Sequence, residues 1–156
     1  MITKASPSKG VPCKEGFIIE EYVSSSPEET LVFGEKIGGL LGPGSIVALK
    51  GTLGAGKTVL ASGIAGALGI TGQITSPTYT IINEYGEKNL LYHIDAYRLT
   101  GDDDFRLAGG EELLYGKGVC IIEWPERLSL LPQDKVIMVE ITIMEDGRRK
   151  ILYKNG

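Results

Sequence analysis

The sequence predicts an α/β fold in which helices cover a mixed, mostly parallel sheet. Three observations predict it. Residues 45–50, with four consecutive apolar residues, lead into Gly51-Thr52-Leu53-Gly54-Ala55-Gly56-Lys57-Thr58, which fits the phosphate-binding pattern G-x-x-x-x-G-K-[ST]. Leu60, Ile64, Ala67 and Leu68 then recur at helical spacing, so strand, glycine loop and helix come in the order the pattern requires. Finally, runs over 79–85 and 90–97 flank Gly86-Glu87-Lys88-Asn89 and read as an antiparallel hairpin inserted beside the parallel strands.

Taken in order, residues 1–16 are polar and rich in Lys, Ser, Pro and Gly. They read as a flexible segment before a single domain over 17–156. Residues 17–23 are a candidate strand whose Glu20 and Glu21 suit a sheet edge. Ser26 opens a helix as its N-cap, Pro27 takes the first position, and Glu29 completes a capping box. Phe33, Ile37, Leu40 and Leu41 make its apolar face, and Gly42-Pro43-Gly44 ends it. Ile46-Val47-Ala48-Leu49 suits a strand buried on both faces.

The glycine loop, a P-loop, has a chemical reason for each residue type. Gly51, Gly54 and Gly56 lack a Cβ, so the backbone can turn its N–H groups inward as a nest for a polyphosphate. The following helix adds unpaired amides and a partial positive charge. Lys57 reaches β- and γ-phosphate oxygens as a mobile point charge, and the Thr58 hydroxyl suits Mg²⁺. Gly69 is the expected helix stop.

Beyond it, Ser76 precedes Pro77 and is expected to be extended. Period two puts His93, Asp95 and Tyr97 on one face of the second hairpin strand. His93, the one histidine, is either a hydrogen-bonded structural residue or a group that orients Asp95 or senses a nucleotide. Asp95 sits amid apolar and aromatic residues and needs a partner. Mg²⁺ or a water near a γ-phosphate is one choice, and an ion pair to Arg98 is the other. Asp102-Asp103-Asp104 suits a helix N-terminus better than a metal site. Residues 109–114 read as a loop and short helix. In Val119-Cys120-Ile121-Ile122-Glu123-Trp124-Pro125, four apolar residues precede an acid, as in a Walker B strand. Glu123 at that strand end either ligates Mg²⁺, directly or through water, or faces solvent. Trp124 is a core or a lid aromatic. Residues 126–131 are a short helix or turn, and 135–143 are a strand. Asp146-Gly147 is a hairpin turn, and 148–153 return. Arg148-Arg149-Lys150 is a basic cluster, either solvated or with one member on the nucleotide.

Composition narrows the function classes. A chain of 156 residues is one domain with a core of ordinary size. Its net charge of −4 argues against a broad nucleic-acid face, so any RNA would need another protein's phosphate grip. The 22 glycines suggest many tight turns. Cys13 and Cys120 form neither a disulfide framework nor a metal-ligand spacing, and Cys120 reads as a small core residue. With no bilayer-length apolar run and no signal core, a reducing cytoplasm is the expected location.

Together, the P-loop, Ser76-Pro77-Thr78-Tyr79-Thr80, His93-Ile94-Asp95-Ala96-Tyr97-Arg98-Leu99 and Ile122-Glu123-Trp124-Pro125 resemble the bacterial TsaE (YjeE) family over about residues 26–153. The resemblance implies a three-layer P-loop NTPase sandwich. It also implies slow, Mg²⁺-dependent ATP hydrolysis. The implied partners are two actin-like-fold proteins that install threonylcarbamoyl on adenosine in tRNAs reading ANN codons; tRNA is met through them, and no membrane is involved. Motif by motif, it implies that Gly54, Ala55, Gly56, Lys57, Thr58 and Val59 cradle the phosphates. Thr58 and Glu123 would ligate Mg²⁺, Lys57 would serve hydrolysis, and Asp95 would support hydrolysis or the metal. Ser26 and Gly147-Arg148 fall where the family has further nucleotide contacts. Thr52 and Val59 depart from the family's usual aspartate and hydroxyl residue.

Three other readings share the cradle. A small-molecule or nucleoside kinase needs an arginine-rich lid, for which only Arg98, Arg106 and Arg127 are suitably spaced. A GTPase would carry Asn-Lys-x-Asp, and no such run occurs. A non-catalytic scaffold would not need Asp95 and Glu123 beside Lys57 and Thr58.

Overall fold

A computed structural model describes residues 18–77, 80–88 and 90–155. Expectations that rest on residues 1–17, Cys13 among them, on Thr78 and Tyr79, and on Asn89 lie outside the described residues. The strands are β1 (Ile18–Ser24), β2 (Ile46–Gly51), β3 (Ile82–Tyr85), β4 (Leu91–Asp95), β5 (Val119–Glu123), β6 (Val136–Ile143) and β7 (Arg149–Asn155). The helices are α1 (Pro27–Gly38), α2 (Lys57–Ala67), α3 (Asp102–Leu107) and α4 (Gly110–Leu114), with a 3-10 turn at Pro125–Arg127.

One seven-stranded sheet runs in the order β1-β7-β6-β2-β5-β4-β3. Its centre is parallel, β2 pairing with β5 and β6 and β5 with β4. Its flanks are antiparallel: β3 on β4, and β7 on β6 and β1. The mixed sheet and inserted hairpin are therefore present, but parallel and antiparallel pairings are equal in number. The cause is β7, which returns from β6 through a tight turn and offers its free edge to β1. The charged strand β1 indeed lies at a sheet edge.

Alternation along β2 divides the core into two. Val47 and Leu49 face Phe33 and Ile37 of α1 and Leu60 and Ile64 of α2. Ile46 and Ala48 face Phe105 of α3, Leu114 of α4 and Leu128. These are the three layers of an α/β sandwich. Each large aliphatic side chain so buried contributes about 1.5–3 kcal/mol.

Local chemistry explains where the helices begin and end. The Ser26 hydroxyl accepts the Glu29 N–H at 3.2 Å, as an N-cap should. Glu29 reaches back one residue further than a standard box, to the Ser25 N–H at 2.6 Å. Helix α1 ends at Gly38, before Leu40, which is 66 % exposed and not part of the apolar face. Asp102 at the start of α3 accepts from the Ser129 N–H at 2.8 Å and from its hydroxyl, tying the helix to the loop after the 3-10 turn. That second partner holds its carboxyl below the usual carboxylate range.

Tight turns account for only part of the glycine content. Gly34 and Gly38 of α1 lie against Gly63 and Ala67 of α2. A Cβ on Gly34 would meet the Leu60 carbonyl oxygen at 2.4 Å, and one on Gly38 the Ile64 oxygen at 2.7 Å. The two helices thus touch backbone to backbone, and α1 sets the position of the helix that follows the P-loop.

Candidate functional site

Strand β2 ends at Gly51, and the chain turns through Gly54 (φ 77°) and Gly56 (φ 109°) into α2. Both values lie in the left-handed region, where a Cβ is disfavoured. Gly56 is the N-cap residue of α2 and has no side chain to satisfy the first amides of the helix. These are the orphan donors that an anion accepts. Ala55 anchors the loop in the core.

Lys57 is nearly buried. Its Nζ donates to the Gly51 carbonyl at 2.8 Å and lies 4.4 Å from the centre of the Trp124 ring. Trp124 is thus a neighbour of the P-loop lysine. Its ring also packs on Tyr97 at 4.9 Å, and the Arg127 guanidinium lies 5.6 Å from the Tyr97 ring. Trp124 has φ 58° and Ile81 φ 68°. Such conformations cost about 1–3 kcal/mol each in non-glycine residues and persist where packing enforces them. Both flank the same strand ends. The Ile81 carbonyl accepts the Asp95 N–H at 2.8 Å, and the Glu123 carbonyl accepts the Ala96 N–H at 3.0 Å.

Asp95 and Glu123 are register partners across the parallel pair β4/β5, and Glu123 is in register with Leu49 on β2. Two carboxylates therefore stand side by side at the strand ends nearest the P-loop, 7 % and 3 % exposed. Like charges opposed in this way destabilise a sheet unless something compensates. Asp95 Oδ1 accepts the Tyr97 N–H at 2.9 Å, and Glu123 Oε1 accepts from His93 Nε2 at 3.1 Å. His93 is wholly buried, and its Nδ1 has no hydrogen-bond partner among the described residues. A bare buried nitrogen costs about 1–3 kcal/mol. Strand β4 ends at Asp95, so Tyr97 lies beyond it, 46 % exposed.

A cleft of about 290 Å³ opens beside the loop, lined by Ser26, Gly54, Gly56, Val59, Gly147 and Arg149 among others. Ser26 and Gly147 thus border it, although the Ser26 hydroxyl is engaged in capping α1. Arg148 turns away: its Nε donates to Asp146 at 2.7 Å and its N–H at 3.0 Å, which together hold the Asp146 carboxyl below the usual range. The cluster member that meets the loop is Arg149. Its Nε donates to the Ala55 carbonyl at 3.1 Å and an Nη to the Gly54 carbonyl at 3.3 Å. Holding the Ala55 carbonyl outward turns the Gly56 N–H, on the same peptide plane, inward toward the nest. Alternation in β7 was the available signal, because Arg149 shares parity with the buried Ile151 and Tyr153.

The donors Thr58, Asp95 and Glu123 are hard oxygens, which fits Mg²⁺. Among the described residues, no cluster of three or more His, Cys, Asp or Glu stands ready to cage a metal. Cys120 lies in the core of β5, its thiol pushed up to about 12 by burial, and has no part in the site.

Comparison with known proteins adds identity to this geometry. The family described as "Threonylcarbamoyl adenosine biosynthesis protein TsaE" matches residues 24–151. The tRNA threonylcarbamoyladenosine biosynthesis protein TsaE of Treponema pallidum (strain Nichols) is 43% identical over 129 residues, covering 83% of this chain and 96% of that protein. Its namesake from Bacillus subtilis (strain 168) is 40% identical over 130 residues, covering 82% and 80%. Among solved structures, that of Bacillus subtilis YdiB superposes with a TM-score of 0.72 at 30% identity, covering 91% of this chain and 88% of that one.

Proposed function

The chain belongs to the TsaE family, and from that premise we propose that it binds ATP with Mg²⁺ and hydrolyses it slowly as a switch on two actin-like-fold partner proteins. With them it acts in forming N6-threonylcarbamoyladenosine in tRNAs reading ANN codons, meeting tRNA through the partners. The observation that carries this reading is the glycine loop at the end of β2, with the register-matched acids Asp95 and Glu123 at the ends of the neighbouring strands. The net charge of −4 supports leaving the RNA grip to partners. No helix among the described residues is long and apolar enough to cross a membrane.

In this reading, Gly54, Ala55, Gly56, Lys57, Thr58 and Val59 cradle the phosphates. Bound Mg²⁺, held by Thr58 and Glu123, would neutralise charge building on the β- and γ-phosphates. Lys57 leaves the Gly51 carbonyl and the indole for the γ-phosphate oxygens, where its charge grows in value as the phosphoryl group loosens. Asp95, fixed by the Tyr97 N–H, orients the attacking water for in-line displacement. Ser26, Gly147 and Arg148 border the nucleoside, Arg148 only after leaving Asp146. Turnover is slow because Arg106, Arg148 and Arg149 are bonded to the chain's own carboxylates or carbonyls. A partner then supplies or orders the missing positive charge. The engagement of Arg106 with Asp103 and Glu111 also speaks against a kinase lid.

The test is nucleotide titration, ATP against GTP, with ATP turnover measured alone and with both partners. ATP preference and partner-raised turnover are expected. Equally fast turnover in both conditions rejects the switch. Normal binding by Lys57→Ala rejects the cradle, and phosphate recovered on an acceptor means a kinase. An unchanged Mg²⁺ dependence in Glu123→Ala removes Glu123 from the metal.

A further inference from the structure

Glu123 is the acid assigned to Mg²⁺ above, yet its own orientation needs an explanation. It is an ionisable side chain at a strand end, 3 % exposed, beside a second carboxylate in register. Repulsion from Asp95 pushes the Glu123 carboxylate toward any rotamer that separates the two charges. Among the described residues, one side chain holds it. His93, two residues before Asp95 on the same face of β4, reaches diagonally across to β5 and donates Nε2–H to Oε1 at 3.1 Å. A carboxylate only accepts, so Nε2 carries the proton of this bond. The other ring nitrogen, Nδ1, is buried without a hydrogen-bond partner among the described residues. A histidine kept for packing alone would satisfy both nitrogens or give way to an apolar residue. Here one nitrogen is sacrificed so that the other can point at Glu123.

We propose that His93 is a positioning residue for the metal-ligating acid: its Nε2–H pins Glu123 through Oε1, so that the carboxylate is held in one orientation for the cation. The proposal rests on the function proposed above. It separates the roles of two acids that look alike in register. Glu123, held by a side chain, is kept ready for the cation, whereas Asp95, held by a backbone amide, is kept ready for water. Loss of such an outer partner of a metal ligand typically weakens metal binding 10- to 100-fold.

The experiment uses the full chain and follows ADP binding by calorimetry, in EDTA and across a Mg²⁺ titration. A glutamine amide nitrogen stands as many bonds from the backbone as Nε2, whereas an asparagine amide stands where Nδ1 does. His93→Asn should therefore raise the Mg²⁺ concentration for half-maximal enhancement about tenfold or more, with ADP binding in EDTA unchanged. His93→Gln should stay within about threefold of wild type, rescued by its donor. A Mg²⁺ requirement unmoved by His93→Asn, or raised as far by His93→Gln, overturns the proposal. So does equal weakening of binding with and without Mg²⁺. If the asparagine variant does not fold, the unmodified protein decides, because its one histidine gives unambiguous imidazole ¹⁵N signals. Mg²⁺ with ADP should shift the Nε2 resonance beyond the effect of ADP in EDTA, and an identical pair of spectra overturns the proposal. Failure of the parent reading looks different: wild type would then bind no ADP under either condition, and both proposals would fall together.

Discussion

Gly63→Ala should loosen the P-loop helix from its neighbour, and the structure gives the size of the effect. A Cβ at residue 63 would lie 2.2 Å from the Leu31 carbonyl oxygen and 2.9 Å from both the Glu35 nitrogen and the Gly34 Cα. All three are backbone atoms, so no side chain can swing aside, and α1 must retreat by about an ångström. Overpacking of this kind costs about 1–3 kcal/mol. The better helix propensity of alanine returns about 1 kcal/mol, which leaves a net loss of up to about 2 kcal/mol. Gly66 in the same helix is the internal control, since a Cβ there meets nothing within 4 Å. Gly66→Ala should gain a few tenths to about 1 kcal/mol, with the sign reversed one turn away. Urea unfolding followed by circular dichroism measures both. For a chain of this length each kcal/mol moves Tm by about 2–4 °C, so the two variants should melt on opposite sides of wild type. A Gly63→Ala midpoint equal to or above that of Gly66→Ala would refute backbone contact between the helices.

Other outcomes follow from single contacts. Arg149→Met removes the charged donors behind Gly54 and Ala55, and ADP should bind about tenfold more weakly in a titration, a loss of about 1.4 kcal/mol. Cys120, its thiol raised to about 12, should resist a disulfide reagent at pH 8 in a Cys13→Ser background and react once unfolded in urea. Because its folded value lies above the unfolded one, its contribution to stability is intact below about pH 8.5 and declines as pH climbs toward 12. Unfolding of Cys120→Ala should lack that alkaline decline. Asp102 has the opposite sign: its carboxyl is depressed by Ser129, so its contribution is present above about pH 4 and fades as pH falls through the lower folded value. Asp102→Asn should flatten that acid limb in unfolding curves measured between pH 2 and 5.

Much of this was legible in the residues because it is local. Four apolar residues before a glycine loop, a proline behind a serine cap and an Asp-Gly turn each specify their own conformation. What escaped was information shared between distant segments. Asp95 and Glu123 are each visible as strand-end acids, but their pairing depends on the register of β4 against β5, which neither stretch records alone. The His93–Glu123 bond hides for the same reason. Leu40 fits the apolar period of α1, yet the helix stops first, with Gly39 as its cap. Arg148 and Arg149 differ by one position, and the phase of β7 decided which of them meets the loop.

One wall of the cleft joins early and late parts of the chain. Ser24, at the end of β1, is the register partner of Arg149, at the start of β7. As a nascent polypeptide emerges from the ribosome, the glycine loop and α2 are available long before the residue that braces them from behind. The support behind Gly54 and Ala55 therefore arrives last, with the final hairpin. A messenger cut short before that hairpin yields a protein that holds the whole loop motif yet lacks its brace.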